Sequence, residues 1–240
     1  MSHKKNSKRQ QKIKEVLGEF ANKKVPADKA ISLLKQMPVA KFDQTVELSV
    51  KLGIDTKQAD QQVRSTVSLP AGTGKKVRVA VITQGDNAKA AQEAGADKVG
   101  AQDLVKEIEN GVIEFDKLLA SPDMMKDLGK LGRILGPKGL MPNPKDGTVT
   151  NEIGQAVKSI KLGQQVSFRA EKDGAIVQFP IGKVSFKEAD LLTNLKAAIE
   201  TLQKVKPSTS KGVYFISAYI STTMGGAIQV DPGKILSAAA

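Results

Sequence analysis

Three short runs carry side chains whose type and spacing suit contact with phosphate and ribose. Ala40-Lys41-Phe42-Asp43-Gln44-Thr45 sets a cation, an aromatic ring and a hydroxyl side by side. Ser221-Thr222-Thr223-Met224-Gly225-Gly226 offers three hydroxyls and two glycines, hence short donors and acceptors with backbone close behind them. Gly132-Arg133-Ile134-Leu135-Gly136-Pro137-Lys138-Gly139-Leu140-Met141-Pro142-Asn143-Pro144-Lys145-Asp146-Gly147 surrounds three cations with glycine and proline, which gives a shaped, positively charged loop. From composition alone this loop reads equally as a connection packed on its own sheet and as a surface turned to phosphates. Neither smaller run is specific alone, and an ordinary exit from a strand is the commonest fate of a run such as 221–226.

Two further runs imitate known devices and fall short. Ala71-Gly72-Thr73-Gly74-Lys75-Lys76 lacks the spacer of a phosphate-binding loop and the Ser or Thr after its Lys, and it precedes a strand where it should follow one. Lys211-Gly212-Val213-Tyr214-Phe215-Ile216-Ser217-Ala218 follows the RNA-recognition strand pattern in part, but Val213 and Ala218 stand where stacking aromatics belong. With seven Phe, two Tyr and no Trp in 240 residues, base stacking on a sheet face cannot be the main mode of binding.

Composition narrows the chemistry. There is no Cys, which removes thiolate metal sites, disulfides and cysteine nucleophiles, and the single His is His3, in a basic tail. A histidine triad and a metal or cofactor held by His or Cys are therefore not expected. The formal charge is +12; residues 1–30 carry +6 of it, 31–72 carry +1, 73–164 carry +2 and 165–240 carry +3. Excess charge at both ends of the chain suits a phosphate-binding surface built from both termini. No apolar run approaches the roughly 20 residues of a membrane span, and the basic start lacks the apolar core of a secretory signal. A cytoplasmic nucleic-acid binder is the leading expectation, and an enzyme acting on phosphorylated substrates through the 132–147 loop is the rival.

The elements that must position these runs follow from periodicity. Residues 8–20 read as a basic amphipathic helix with Ile13, Val16, Leu17 and Phe20 on one face, and a second helix runs from Pro26 to Pro38. Thr45 to Leu52 alternates strictly and predicts a strand with one wet face. Residues 68–76 form a Pro- and Gly-rich hinge or linker. From Val77 the pattern changes to short apolar strands, 77–83 and 116–121, separated by helical stretches at 86–95, opened by Asp86, at 104–110, at 122–131 and at 151–162. That is the texture of a parallel sheet covered on both faces. Alternation returns at 165–170 and 175–179 around Lys172-Asp173-Gly174, which predicts a hairpin. A long helix, 187–205, and a last strand, 211–221, complete the chain. The expected fold is mixed α/β and α+β in two domains. Residues 1–72 and 165–240 form a discontinuous, sandwich-like α+β domain, into which 73–164 is inserted as a Rossmann-like parallel-sheet domain.

Taken together the runs carry more than each alone. Lys41-Phe42, Val46 to Asp55, Asp60-Gln61-Gln62-Val63-Arg64, Leu69 to Lys75, Leu135 to Lys145, Lys211-Gly212 and Ser221 to Gly225, in this order and spacing, resemble the bacterial-type family of large-subunit ribosomal protein one. The resemblance covers about residues 27–230, with the loop 135–145 its most diagnostic part. It implies the same two-domain plan and a structural role in the mobile stalk of the large ribosomal subunit. It also implies binding to large-subunit (23S) rRNA, contact with exit-site tRNA that helps its release, and repression of the protein's own operon mRNA through a mimic of the rRNA site. Lys41, Phe42, Thr45, Ser217, Thr223, Met224 and Gly225 match the positions that hold the RNA backbone in that family. Arg169, Lys172 and Lys183 fall on the predicted hairpin facing the same groove, although the acid Glu171 departs from the family there. The resemblance implies no cofactor, no metal and no catalysis. A free-standing mRNA regulator would use the same surface.

Overall fold

The computed structural model describes residues 7–20, 23–38 and 40–237, so His3 and Lys4 of the basic tail lie outside it. The chain falls into two compact units, one gathering the residues up to Thr73 and from Val166 onward, the other Gly74–Gln165. No described helix is long and apolar enough to cross a membrane.

In the first unit, Ser7 opens α1 (Lys8–Leu17) with a reciprocal capping box: its hydroxyl accepts the Gln10 N–H and the Gln10 side chain accepts the Ser7 N–H. α2 (Ala27–Gln36) buries Ala30, Ile31, Leu33 and Leu34. In β1 (Thr45–Leu52) the residues Val46, Leu48, Val50 and Leu52 face the core and the odd-numbered ones face outward. β2 (Arg64–Ser68) is the last element before the chain enters the second unit.

There β3 (Val79–Ile82), α3 (Asp86–Glu93), β4 (Lys98–Gly100), α4 (Gln102–Glu109) and β5 (Lys117–Ala120) build a parallel sheet of order β4-β3-β5. Ala80 and Ile82 pack on one face with Leu104, Ile108, Leu128 and Leu135. Val79 and Val81 pack on the other with Ala91, Ile153, Val157 and Ile160. α5 (Met125–Leu128), α6 (Gly132–Leu135) and α7 (Ile153–Lys161) complete these layers.

The chain returns through β6 (Gln165–Arg169), β7 (Ile176–Lys183), α8 (Glu188–Lys204), β8 (Phe215–Thr222), β9 (Ala227–Val230) and α9 (Pro232–Ser237). β7-β1-β8-β9 form an antiparallel sheet, with α2 and α8 packed on its apolar face, and β2 and β6 pair separately. Buried Asn194, in the apolar stripe of α8, accepts the Ala71 N–H at 3.0 Å and donates to the Gly72 and Ile181 carbonyls at 2.9 and 2.7 Å. It satisfies the backbone groups of the chain as it leaves the sheet.

Four expectations need correction. Lys172-Asp173-Gly174 is not a hairpin turn between paired strands, because β6 pairs with β2 and β7 with β1. The Ala175 N–H closes on the Glu171 carbonyl, and Ala175, not Gly174, takes the positive φ of 52°. Phe168 and Phe179 then stack at 5.4 Å, so the two strands meet as layers of a sandwich. The helix expected at 122–131 is broken into short turns, with glycines at 129 and 132, and the glycine-proline loop begins as helix α6. α3 is capped by Gly85, with Asp86 its first helical residue. The strand expected at 211–221 starts at Phe215, and 223–226 turns the chain into a further strand, β9.

Candidate nucleic-acid interface

Strand register divides the ten candidate residues between the two ends of the antiparallel sheet. Thr45 opens β1 opposite Lys183 at the end of β7, and Val46 pairs with Thr222 just before Thr223. Lys41, Phe42, Thr45, Lys183, Thr223, Met224 and Gly225 therefore share one corner. Ser217 pairs with Lys51, which also pairs with Ile176, so it lies six residues, roughly 20 Å, further along. Lys172, on the turn that precedes Ile176, lies beyond that far end, and Arg169 ends β6 of the separate two-stranded sheet just before the same turn. Arg169 and Lys172 thus precede β7, whereas Lys183 stands at its other end.

The corner is tightly organised. The Thr45 N–H donates to the Thr223 hydroxyl at 3.1 Å, and the Thr223 N–H returns to the Thr45 carbonyl at 3.1 Å. The Lys183 ammonium donates to the Thr45 hydroxyl at 2.8 Å. Each hydroxyl oxygen thus accepts from a fixed neighbour. The Thr223 hydroxyl in turn donates a long, weak bond of 3.4 Å to the Thr45 carbonyl, and the Thr45 proton is not needed by the bond from Lys183. Two threonines at a strand end are in this way held in place by bonds they accept, and a partner could compete for the weak bond that Thr223 donates.

The segments around them are fixed from behind. Buried Gln44 accepts the Met224 N–H at 3.0 Å on its side chain, and its backbone carbonyl accepts the Val184 N–H. Asp43 accepts both the N–H and the hydroxyl of Ser185. Arg9 donates to the carbonyls of Met224 and Pro38, each at 3.1 Å. A Cβ at Gly225 would lie 2.1 Å from the Thr222 hydroxyl, so only glycine permits the turn to fold back on β8. Phe42 and Met224 are 52% and 51% exposed, two large apolar side chains left uncovered beside polar ones. That combination excludes water around short hydrogen bonds once a partner is seated.

Gln44 and Arg9 escaped the sequence reading. A glutamine between Asp43 and Thr45 looks like solvated loop, and Arg9 looks like one more cation of a basic helix. Their roles come from residues far away in sequence.

The second unit presents no comparable corner. Leu135, Leu140 and Met141 of the glycine-proline loop pack on its core, whereas Arg133, Lys138 and Lys145 are exposed. The loop is both things its composition allowed, a packed connection and a cationic surface. Among the described residues no group of three or more His, Cys, Asp or Glu is placed to hold a metal ion.

With this geometry in hand, comparison with known proteins is decisive. The model of the family described as "Ribosomal protein L1p/L10e family" matches residues 33–226. The chain belongs to that family. It is 53% identical over 210 residues to proteins named "Large ribosomal subunit protein uL1" from Burkholderia mallei, Burkholderia pseudomallei and Burkholderia thailandensis, covering 88% of this chain and 90% of each relative. Membership makes the chain a structural ribosomal protein and not an enzyme. The rival reading of the 132–147 loop as an active site is set aside on that ground.

Proposed function

We propose that this protein, a component of the large subunit of the cytoplasmic ribosome, uses the corner of its first unit to hold a structured stalk region of large-subunit rRNA. The RNA-binding domain comprises residues 1–72 and 165–240, and residues 73–164 form the inserted domain. Lys41, Phe42, Thr45, Lys183, Thr223, Met224 and Gly225 make the close contacts. Ser217, Arg169 and Lys172 add contacts at and beyond the far end of the sheet. The observation that carries this reading is the Thr45–Thr223 pair, whose hydroxyl oxygens are engaged by Lys183 and by a backbone N–H. Double-helical RNA hides its base edges, so a protein poor in aromatics reads shape, ribose hydroxyls and phosphates. Hydroxyls held in place beside Phe42 and Met224 suit that task.

The finer parts of the proposal are contact with exit-site tRNA that helps its release, and repression of the protein's own operon mRNA through the same corner. Exposed Arg133, Lys138 and Lys145 offer the inserted domain a phosphate-facing surface of its own for the tRNA. Three measurements test the whole. A stalk rRNA fragment is expected to bind more tightly than an unrelated duplex at moderate salt, with Gly225→Ala losing about tenfold or more on the stalk RNA alone. The leader of the operon mRNA is expected to compete for the same site. Ribosomes lacking the protein are expected to release deacylated tRNA more slowly. Equal affinity for both RNAs overturns the site, and independent binding of the leader overturns the repression.

A further inference from the structure

We propose that α1 is a second wall of this RNA site: a basic helix locked onto the 224–226 turn, with Lys8 and Lys12 set to take phosphates that flank the corner. The inference rests on the RNA reading of that corner. The sequence assigned no role to these residues beyond a charged tail, yet the geometry binds α1 to the site at two points. A Cβ at Gly226 would lie 2.9 Å from both Ile13 and Leu17, so the helix rests on bare backbone of the turn. Arg9, one turn before Ile13, ties the Met224 carbonyl to the Pro38 carbonyl and so joins the turn after β8 to the segment leading into β1. The Gly226 N–H faces the Met37 sulfur at 3.2 Å, which closes the same joint from below.

The direction of the turn across the helix selects the flank. Gly226 lies against Ile13 and Leu17, and Met224 lies against Arg9. Continuing toward the corner brings in Lys8 and Lys12, on the far side of Arg9 from Leu17, and leaves Lys14 behind on the opposite flank. All three lysines are exposed. α1 carries four cations against one acid, and the first 30 residues supply +6 of the chain's +12. Within α1 the charge is carried on a helix seated against the 224–226 turn. A lysine held there neutralises a phosphate and releases its counterion, which is read in the salt dependence of binding.

The test uses the full-length protein, the stalk rRNA fragment and a salt titration of Lys12→Gln, Lys14→Gln and Thr223→Val. Lys12→Gln is expected to reduce the slope of log affinity against log salt by about one unit, with Lys14→Gln unchanged. Thermal unfolding of both lysine variants, which are exposed and unpacked, is expected to match the parent. If Lys12→Gln leaves the slope unchanged while Thr223→Val still weakens binding, α1 is only a brace and the inference falls. Equal losses from Lys12→Gln and Lys14→Gln also overturn it, because they mark diffuse charge and not a wall. If neither Lys12→Gln nor Thr223→Val changes binding, the corner itself is misassigned.

Discussion

Two strand ends in this protein meet the same need with different chemistry. At the start of β1 the backbone N–H of Thr45 is satisfied by the Thr223 hydroxyl at 3.1 Å. At the start of β3 the N–H of Val79 is satisfied by the Asp97 carboxylate at 2.8 Å, and the adjacent N–H of Arg78 by Asp116 at 3.1 Å. Both arrangements close a strand end. The hydroxyl keeps a proton, held only by the long 3.4 Å bond to the Thr45 carbonyl, whereas an ionised carboxylate has none to give. Lys161 pairs with Asp97 and Arg78 with Asp116, so the negative charge at β3 is matched locally. The first end is suited to an anionic partner and the second is only a closure. A functional corner is distinguished here by what its groups have left over after the fold has used them.

Converting one end into the other should give the largest effect. Thr223→Asp keeps an acceptor for the Thr45 N–H but removes the donor and sets a negative charge against phosphate. Stalk rRNA binding is expected to fall by more than about 100-fold, with the fold retained. Thr223→Val also removes the donor, without the repulsion, and leaves the Thr45 N–H without its partner. A loss of about 1–3 kcal/mol is expected, roughly 5- to 150-fold in affinity. Thr223→Ser, which preserves the hydroxyl, should stay near the parent. Filter binding or calorimetry on the stalk fragment ranks the three. If Asp and Val prove equal, repulsion contributes nothing and the corner does not face phosphate.

The turn between β6 and β7, beyond the far end of that sheet, sharpens the contrast. Arg169 and Lys172 are exposed, and Glu171 stands between them. Lys172→Ala is expected to lower the salt slope by at most about one unit and to leave the ratio of stalk to unrelated RNA unchanged. A change in that ratio would make this turn a reader of RNA shape and not a charged flank.

How much of this the sequence disclosed depends on how local each signal is. β1 was legible to the residue, because Thr45 to Leu52 has one face buried and one wet, and strict alternation follows from that alone. The three-residue β4 and four-residue β9 were not, since they lack the continuous buried apolar run that marked the equally short β3 and β5. The Asp-Gly signal at 173–174 marked a real reversal but named the wrong partner. The strands it joins meet through Phe168 stacked on Phe179 across two sheets, a contact that no local pattern records. Lys41, Phe42, Thr45, Lys183, Thr223, Met224 and Gly225 were named through the family resemblance, and the strand register places them toward one end of the sheet. The separation of Ser217 and Lys172 from them required the register.

The smallest expected effect lies at the other strand end. The N–H bond from Val79 holds the Asp97 carboxyl below its usual value, opposed by partial burial and helped by the bond and charge of Lys161. A carboxyl whose folded pKa is depressed contributes stability that is fully present above its unfolded pKa, ordinarily near 3.8, and lost as pH falls through the lower, folded value. Between about pH 5 and 8 this contribution is constant, and it disappears only below about pH 4. Asp97→Asn offers a weaker, neutral acceptor, so the Val79 amide is expected to exchange its hydrogen somewhat faster at pH 7. The difference from the parent should shrink as pH falls below 4, where the parent loses its charge as well. RNA binding is expected to be unchanged throughout, because this closure faces its own lysine and not a ligand. A pH-independent difference in exchange would mean that Asn loses packing and not charge. A loss of stalk RNA affinity in Asp97→Asn would break the comparison outright, since the carboxylate end would then be serving the site that only the hydroxyl end is equipped to serve.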